Sequence, residues 1–282
     1  MKTPHTRPPG VLEQTSVAER LPVRDPRCGD DADPVELMRS QGFRIVRCRR
    51  CGLAWSDPQI SDEALGRLVY TGTHVAQQWK QPRRKSWPRR AFRAVRSLCG
   101  PVGHVEKRWA FVRRWLPTDR PLRVLEVGCW TGELLAMAAA QAPGWQLQGV
   151  DSSPFAVQQA RAAGLRVTLT SLEDAPFAPD SFEGLIAWNV LEHTHDPLAF
   201  LQAARRVLTP GGRCVLHLPN FGGVPARLAG PRWTSLMPEQ HRWHLTCGAL
   251  ADLLEASGGR VLYLRSSPLN LGKETRAVVE WP

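Results

Sequence analysis

The chain lacks any run approaching the ~18 consecutive apolar residues of a membrane-spanning helix. Its opening MKTPHTRPPG also lacks the apolar middle that a secretory signal peptide carries, so a cytoplasmic protein is expected. Nor is there a disulfide framework: the seven cysteines are an odd number, scattered except for Cys48 and Cys51, a usage that suits a reducing compartment. No internal repeat is found. What is present is 282 residues, 43% hydrophobic and 22% charged, enough for one large core or two modest ones.

The formal charge of +11 is a local feature. Thirteen Lys and Arg lie between Trp79 and Arg120 against only Glu106 and Asp119, which equals the charge of the whole chain. Everything outside that segment is balanced.

Four regions follow. Residues 1–24 are rich in Pro and Arg without an apolar period and read as a flexible tail. Residues 25–70 form a cysteine-containing module, with Phe43, Ile45 and Val46 on a strand leading into the turn at Cys48 and Cys51, then a short helix from SDEALGRLVY. Residues 71–120 carry the basic charge on two helical stretches, and in the second Val105, Trp109, Val112 and Leu116 draw one apolar stripe. From 121 to 282 the pattern alternates strictly: strands LRVLEVG, QLQGVD, RVTLT, FEGLIAW and GRCVLHLP are interleaved with helices TGELLAMAAAQA, SPFAVQQARAAG and DPLAFLQAARRVL. Such alternation predicts an α/β, doubly wound, mostly parallel sheet with helices on both faces. Ser153-Pro154 and Asp196-Pro197 open two of the helices, and Gly164 and Pro210-Gly211-Gly212 stop them. TCGALADLLEASGG, RVLYLRSS and TRAVVEW add a last helix and two strands.

In such sheets ligands sit beyond the carboxyl ends of the strands, and the first strand-to-helix turn is the usual cradle. Gly128 and Gly132 let backbone approach a ligand. A dinucleotide fingerprint would need G-x-G-x-x-G, but counting from Gly128 the other two positions hold Trp130 and Glu133, which disfavours a pyrophosphate. Glu126 at the end of the first strand repels anions and suits a cation. Asp151 ends the second strand, where a carboxylate can accept hydrogen bonds from a ribose diol. The pocket therefore suits a nucleoside bearing positive charge.

Taken together, VLEVGCWTG, GVDSSP, SLEDAPFAPDSFEGLIAWNVLEHTHDP, RVLTPGGRCVLHLPN and HRWHLTCGALADLLEASG resemble the class I S-adenosylmethionine-dependent methyltransferases, in the group sharing VLEH after the fourth strand. The resemblance runs from about Leu122 to the C-terminus. It implies a Rossmann-like methyltransferase fold with a seven-stranded sheet and S-adenosylmethionine as cofactor; the basic segment is read first as a solvated helix face whose apolar stripe from Val105 to Leu116 caps the cofactor site as a helical lid. It further implies that Glu126, Gly128 and Gly132 surround the methionine part; Trp130 departs from the family, which has a small residue there, so the turn must direct an indole outward, over the cofactor or against the preceding helix. Asp151 would hold the ribose, Leu172 and Glu173 would flank the adenine, and Asn189 would lie beside the sulfonium. Ser171 stands where many members place an acid for the adenine amine.

The expected catalytic bases for a hydroxyl acceptor are His193, after the fourth strand, and His241 in EQHRWH, since histidine titrates near neutral pH; a merely structural His193 is the competing reading. No Asp/Asn-Pro-Pro-aromatic motif follows the fourth strand and no cysteine follows a proline, which argues against amine methylation of bases and against cytosine C5 methylation. The expected acceptor is a hydroxyl or carbon of a small molecule or glycan, anionic or lipid-linked acceptors included. The basic segment also suits peripheral contact with a membrane surface, or, as a weaker alternative, RNA. A non-catalytic binding protein retaining the fold is the alternative from another class.

Cys48 and Cys51 form half of a zinc knuckle. The module resembles the cysteine-rich element preceding some methyltransferases of this group, where C-P-x-C-G is expected. Here the chain reads D-P-R-C-G, so Asp25 replaces a thiolate and Cys28 remains. Zinc held by Asp25, Cys28, Cys48 and Cys51, or a metal-free packed knuckle, are both open.

Overall fold

The computed structural model describes residues 11–68, 104–266 and 272–282. The basic stretch with Arg89, Arg90, Arg93 and Arg96 lies outside the described residues. The N-terminal part contains strands β1 (Arg20–Leu21), β2 (Pro34–Ser40), β3 (Phe43–Cys48), β4 (Ala54–Asp57) and β5 (Gln59–Ile60), then helix α1 (Asp62–Leu68). β2, β3 and β4 form an antiparallel sheet, and β1 pairs with β5. Helix α2 (His104–Val112) leads into β6 (Arg123–Val127), α3 (Glu133–Gln141), β7 (Gln146–Asp151), α4 (Pro154–Ala162), β8 (Val167–Leu169) and β9 (Phe182–Trp188). Then come α5 (Pro197–Val207), β10 (Leu208–Pro219), α6 (Val224–Ala229), α7 (Cys247–Ala256), β11 (Arg260–Arg265) and β12 (Glu274–Glu280).

Seven described strands form one sheet in the order β11-β12-β10-β9-β6-β7-β8. β8, β7, β6, β9 and β10 are parallel neighbours, and β12 runs antiparallel between β10 and β11. The expected mostly parallel, doubly wound sheet is therefore present. The central strands are buried from both sides, as in Val124, Leu125 and Val127 of β6 and Leu185, Ile186 and Ala187 of β9, which is why they read as continuous apolar runs. Ser153 accepts the N–H of Ala156 at the start of α4, and Asp196 accepts those of Leu198 and Ala199 at the start of α5, so both expected caps are made. Pro210-Gly211-Gly212 does not form a separate stop: β10 already begins at Leu208 and absorbs these residues in a register shift before Arg213.

Three regional expectations change. Residues 11–24 are not a free tail. β1 pairs with β5, Leu12 packs on Phe43 and Ile60, and Arg20 donates to the carbonyls of Leu12 and Thr15. The cysteine module is not separate either, because Val46, Cys48, Leu53 and Trp55 share one core with Leu125, Leu185, Leu216 and Leu250. The segment around Trp243 adds to the edge of β4: Trp55 bridges to Trp243, the N–H of Ser56 donates to the carbonyl of Arg242 and that of His244 to Ala54. Finally, the stripe on α2 is a layer of the fold rather than a lid. Trp109, Val112 and Leu116 pack with Val124, Trp145, Ile186 and Val215, and Trp109 meets Trp145 edge-on at 5.4 Å between centroids.

Trp109 therefore holds a helix on the sheet. Trp109→Ala should lower unfolding free energy by about 3–5 kcal/mol, read by urea denaturation, while the folded variant keeps the wild-type affinity for S-adenosylhomocysteine. Normal stability with weakened cofactor binding would restore the lid reading.

Candidate active site

β6 lies between β7 and β9, and the chain leaves its carboxyl end through Gly128–Gly132. Gly128 has φ 64° and Gly132 φ 83°. A Cβ on Gly128 would lie 2.5 Å from the Val190 side chain, and one on Gly132 would lie 2.1 Å from that of Leu165. Glycine is thus demanded twice, by backbone conformation and by close approach. Trp130 between them is also left-handed, with φ 52°. Its N–H donates to Asp151 at 2.8 Å, and its indole tilts against Phe155 at 6.3 Å. The ring therefore rests on the helix after β7 and not on a preceding one.

Two carboxylates end adjacent parallel strands. Asp151 is 8% exposed and also accepts the N–H of Ser153 at 2.8 Å. Burial raises its pKa, and the two N–H donors oppose the rise. Glu126 is 3% exposed, and one of its oxygens has no partner. Burial pushes its pKa up to about 8; Arg108 opposes the shift and Asp151 adds to it. An orphaned buried carboxylate facing another carboxylate is the electrostatic complement of a cation, and S-adenosylmethionine fits these residues.

The remaining residues expected to meet the cofactor are divided. Leu172 is fully buried in the core, and Glu173 is exposed beside it. The Ser171 hydroxyl accepts the N–H of Asp174 and bonds its carboxylate at 2.7 Å. Asn189 is exposed and left-handed at φ 57°, its side-chain oxygen 2.7 Å from His217 Nδ1. Beside it Trp188 stacks on His217 at 4.1 Å, while Arg108 and Arg276 stand 5.7 and 5.8 Å from the Trp188 ring. These two arginines were not legible as a pair, since 168 positions separate them; only their shared aromatic neighbour joins them.

His193 and His241 do come together, with ring centroids 4.7 Å apart. Each spends Nδ1 on a backbone carbonyl, His193 on Gln240 at 3.0 Å and His241 on Ser235 at 2.9 Å. Burial lowers His193 to about 4 and takes His241 well below the usual histidine range, where His193 and His244 depress it further. A base that weak is poorly matched to proton abstraction near neutral pH, so the geometry gives the expected catalytic role little support. Their neighbour Glu192, missed in the sequence, is 1% exposed with neither carboxylate oxygen bonded. A lone acid closing the apolar run GLIAWNVLEH was the signal.

Asp25, Cys28, Cys48 and Cys51 are also gathered, each offering a ligand atom within 4.8 Å of the others. Cys51 lies 3.0 Å from an Asp25 oxygen and Cys48 3.9 Å from Cys28. Burial and then the Asp25 contact push the Cys51 thiol up; for Cys48 burial is outweighed by N–H donors from Cys51, Asp33 and Arg50.

A family profile described as "Methyltransferase domain" matches residues 103–264. The chain belongs to this family of S-adenosylmethionine-dependent enzymes. It is 33% identical over 149 residues to a ubiquinone biosynthesis O-methyltransferase of Cereibacter sphaeroides, covering 49% of this chain and 60% of that one. To a protein of the same description from Xanthomonas campestris it is 38% identical over 114 residues, covering 38% and 46%. The chain thus spans roughly half the length of these curated relatives. Among solved structures, the 1,6-didemethyltoxoflavin-N1-methyltransferase of Burkholderia thailandensis superposes with a TM-score of 0.53 at 16% identity, over 89% of this chain and 99% of that one. An S-adenosylmethionine-dependent methyltransferase of Mesorhizobium loti gives 0.52 at 20%, over 62% and 98%. Both share the fold.

Asp151→Ala should weaken binding of S-adenosylmethionine by about 1.5–3 kcal/mol, the worth of charge-assisted hydrogen bonds, measured by calorimetry; unchanged affinity would remove Asp151 from the site. Glu126 makes a pH prediction. Its pKa in the folded chain is raised to about 8, so its contribution to stability is complete below the ordinary carboxylate range and is lost as pH rises through 8. Between pH 5 and 8 the cofactor-free protein should lose stability relative to Glu126→Gln, by at most about 1.4 kcal/mol per pH unit. Parallel urea midpoints for the two proteins would contradict this.

Proposed function

We propose that this chain transfers a methyl group from S-adenosylmethionine to a hydroxyl oxygen or a carbon of a small molecule or glycan bearing negative charge. The observation that carries the reading is the pair of buried carboxylates, Glu126 and Asp151, at the carboxyl ends of β6 and β7 beside a glycine turn built for close approach. When bound, the cofactor supplies an electrophilic methyl group on a sulfonium. Asp151 would hold the ribose hydroxyls, Glu126 would face positive charge, and the Gly128–Gly132 backbone would let the methionine part close on the sheet. Leu172 and Glu173 would border the adenine. Asn189, fixed by His217, would stand at the transfer point. Alignment and exclusion of water would then do most of the work.

The acceptor side rests on chemistry around Trp188. Arg108 and Arg276 flank its ring, and burial pushes the Arg108 guanidinium down despite the attraction of Glu126, Glu133 and Glu274. A carboxylate or phosphate on the acceptor would relieve that cost. The chain after β9 folds into a short 3-10 turn at Leu191–His193 instead of presenting the Pro-Pro-aromatic motif of base-amine methylation. Similarity to O-methyltransferases of ubiquinone biosynthesis favours an oxygen acceptor.

We also propose that Asp25, Cys28, Cys48 and Cys51 hold zinc. Their two loops fold alike: Gly29 N–H donates to Asp25 at 2.7 Å and Gly52 N–H to Cys48 at 2.9 Å, both glycines left-handed. Each loop thereby presents two donors on one side, in a Cys3Asp set of accepted zinc ligands.

With methyl-labelled cofactor, label should enter acidic phenols, catechols or sugar acids and not RNA, and Arg276→Gln should raise KM for the charged acceptor more than for its neutral analogue. Label in RNA alone would overturn the acceptor class. Elemental analysis should find one fewer zinc in Cys51→Ser than in the unaltered protein, with loss of stability; equal zinc in both would leave only packing for the four residues.

A further inference from the structure

The end of β9 carries a second cluster that methyl transfer does not use. Glu192 and His193 sit in the turn Leu191–His193, and His241 reaches them from the segment between α6 and α7. One ligand atom from each lies within 4.8 Å of the others. Three features set this apart from ordinary core polar residues. Both Glu192 oxygens are buried without a hydrogen-bond partner, an arrangement that folding penalises unless something else satisfies them. The Glu192 carbonyl, by contrast, accepts the N–H groups of both Arg242 and Trp243. The Arg242 guanidinium is engaged by Asp62, Gln59 and the Ile60 carbonyl.

The histidine tautomers complete the argument. A carbonyl oxygen only accepts, so the Nδ1 atoms bonded to Gln240 and Ser235 must carry the protons. Each ring is left with an unprotonated Nε2. An imidazole that donates one N–H to a backbone carbonyl and frees the other nitrogen is the usual state of a metal ligand. His244 in the same segment contrasts with this: the Ser56 hydroxyl donates to the His241 carbonyl, so it accepts from His244 Nε2 at 2.9 Å, and that ring has no such free nitrogen on Nε2.

We propose that Glu192, His193 and His241 form a binding site for a divalent first-row transition cation. Two neutral imidazoles and one carboxylate make a donor set suited to Mn, Fe, Co or Zn. Bonds of about 2.0–2.2 Å place tetrahedral ligand atoms roughly 3.3–3.6 Å apart, so a cluster whose atoms lie within 4.8 Å of one another would contract on binding the ion. Three protein ligands leave coordination positions open to water. The site stands apart from the Asp25, Cys28, Cys48 and Cys51 cluster, whose thiolates prefer softer ions. It is independent of the proposed methyl transfer, because it is read as metal binding and not as activity.

The test uses the full chain, stripped with chelator and titrated with Mn2+, which discriminates against thiolates, with bound ion followed by EPR. One equivalent should bind to the wild type and equally to Cys48→Ser. His193→Ala and His241→Ala should weaken binding by more than the roughly 10–100-fold that loss of an outer-shell partner costs, and Glu192→Gln should weaken it as well. Pulsed EPR of the Mn2+-loaded wild type should show two directly coordinated imidazole nitrogens, a readout that needs no variant to fold. Absence of a stoichiometric Mn2+ or Co2+ site in the wild type, a spectrum without imidazole coupling, or binding that survives all three substitutions in folded protein would overturn the proposal.

Discussion

The site depends on the pairing of β6 with β9. β6 pairs with β7 on one side and β9 on the other, so the sheet order reverses direction at β6, the point at which open α/β sheets hold their ligands. The pairing with β9 also explains why the glycine is needed at 128: the turn after β6 and Val190 after β9 emerge side by side, and a Cβ would sit 2.5 Å from Val190. Placing Glu126 at the end of the innermost strand then follows at a cost. The carboxylate is stripped of water with one oxygen unbonded, and a positively charged ligand is what offsets it.

The N-terminal module acts on the same edge of the sheet. Trp55 packs on Trp243 at 6.3 Å, the Trp243 indole donates to the Thr194 carbonyl, and the Ser56 hydroxyl reaches the His241 carbonyl. Asp62 at the start of α1 binds both Arg242 and His195, and these partners depress its pKa. The segment carrying His241 is therefore sandwiched between the turn after β9 and the small sheet of the module. Cys48 and Trp243 belong to one core.

Where periodicity was strong, the sequence was informative. Every expected strand and helix from Leu122 onward is present, because parallel strands buried on both faces and capped amphipathic helices leave patterns that tertiary context does not override. β2 escaped notice because it is an exposed strand of mixed polarity, PVELMRS, with only Ser40 buried. The tail was misjudged for a related reason: β1 has two residues, and its partner β5 lies 39 positions later. The strand-end positions of Glu126 and Asp151 and the turn at Gly128 and Gly132 were legible, since their neighbours announce them. Glu192, Arg108 and Arg276 were not. Their environments arise from packing between distant segments, which one-dimensional spacing does not record.

Trp130 shows how the turn can carry a residue that the fingerprint excludes. A left-handed conformation costs a non-glycine residue about 1–2 kcal/mol. Against this stand a hydrogen bond from its N–H to a buried carboxylate, of about 1.5–3 kcal/mol, and a ring contact with Phe155 of about 0.5–1.5 kcal/mol. The balance is favourable only while Asp151 is present and accepting. The carboxylate proposed for the ribose thus also holds the turn in its conformation. Trp130 and Glu133 fill the two positions where a dinucleotide fingerprint needs glycine, and Glu126 and Asp151 add negative charge beside the turn, so the chain departs from a pyrophosphate site by volume and by charge at once.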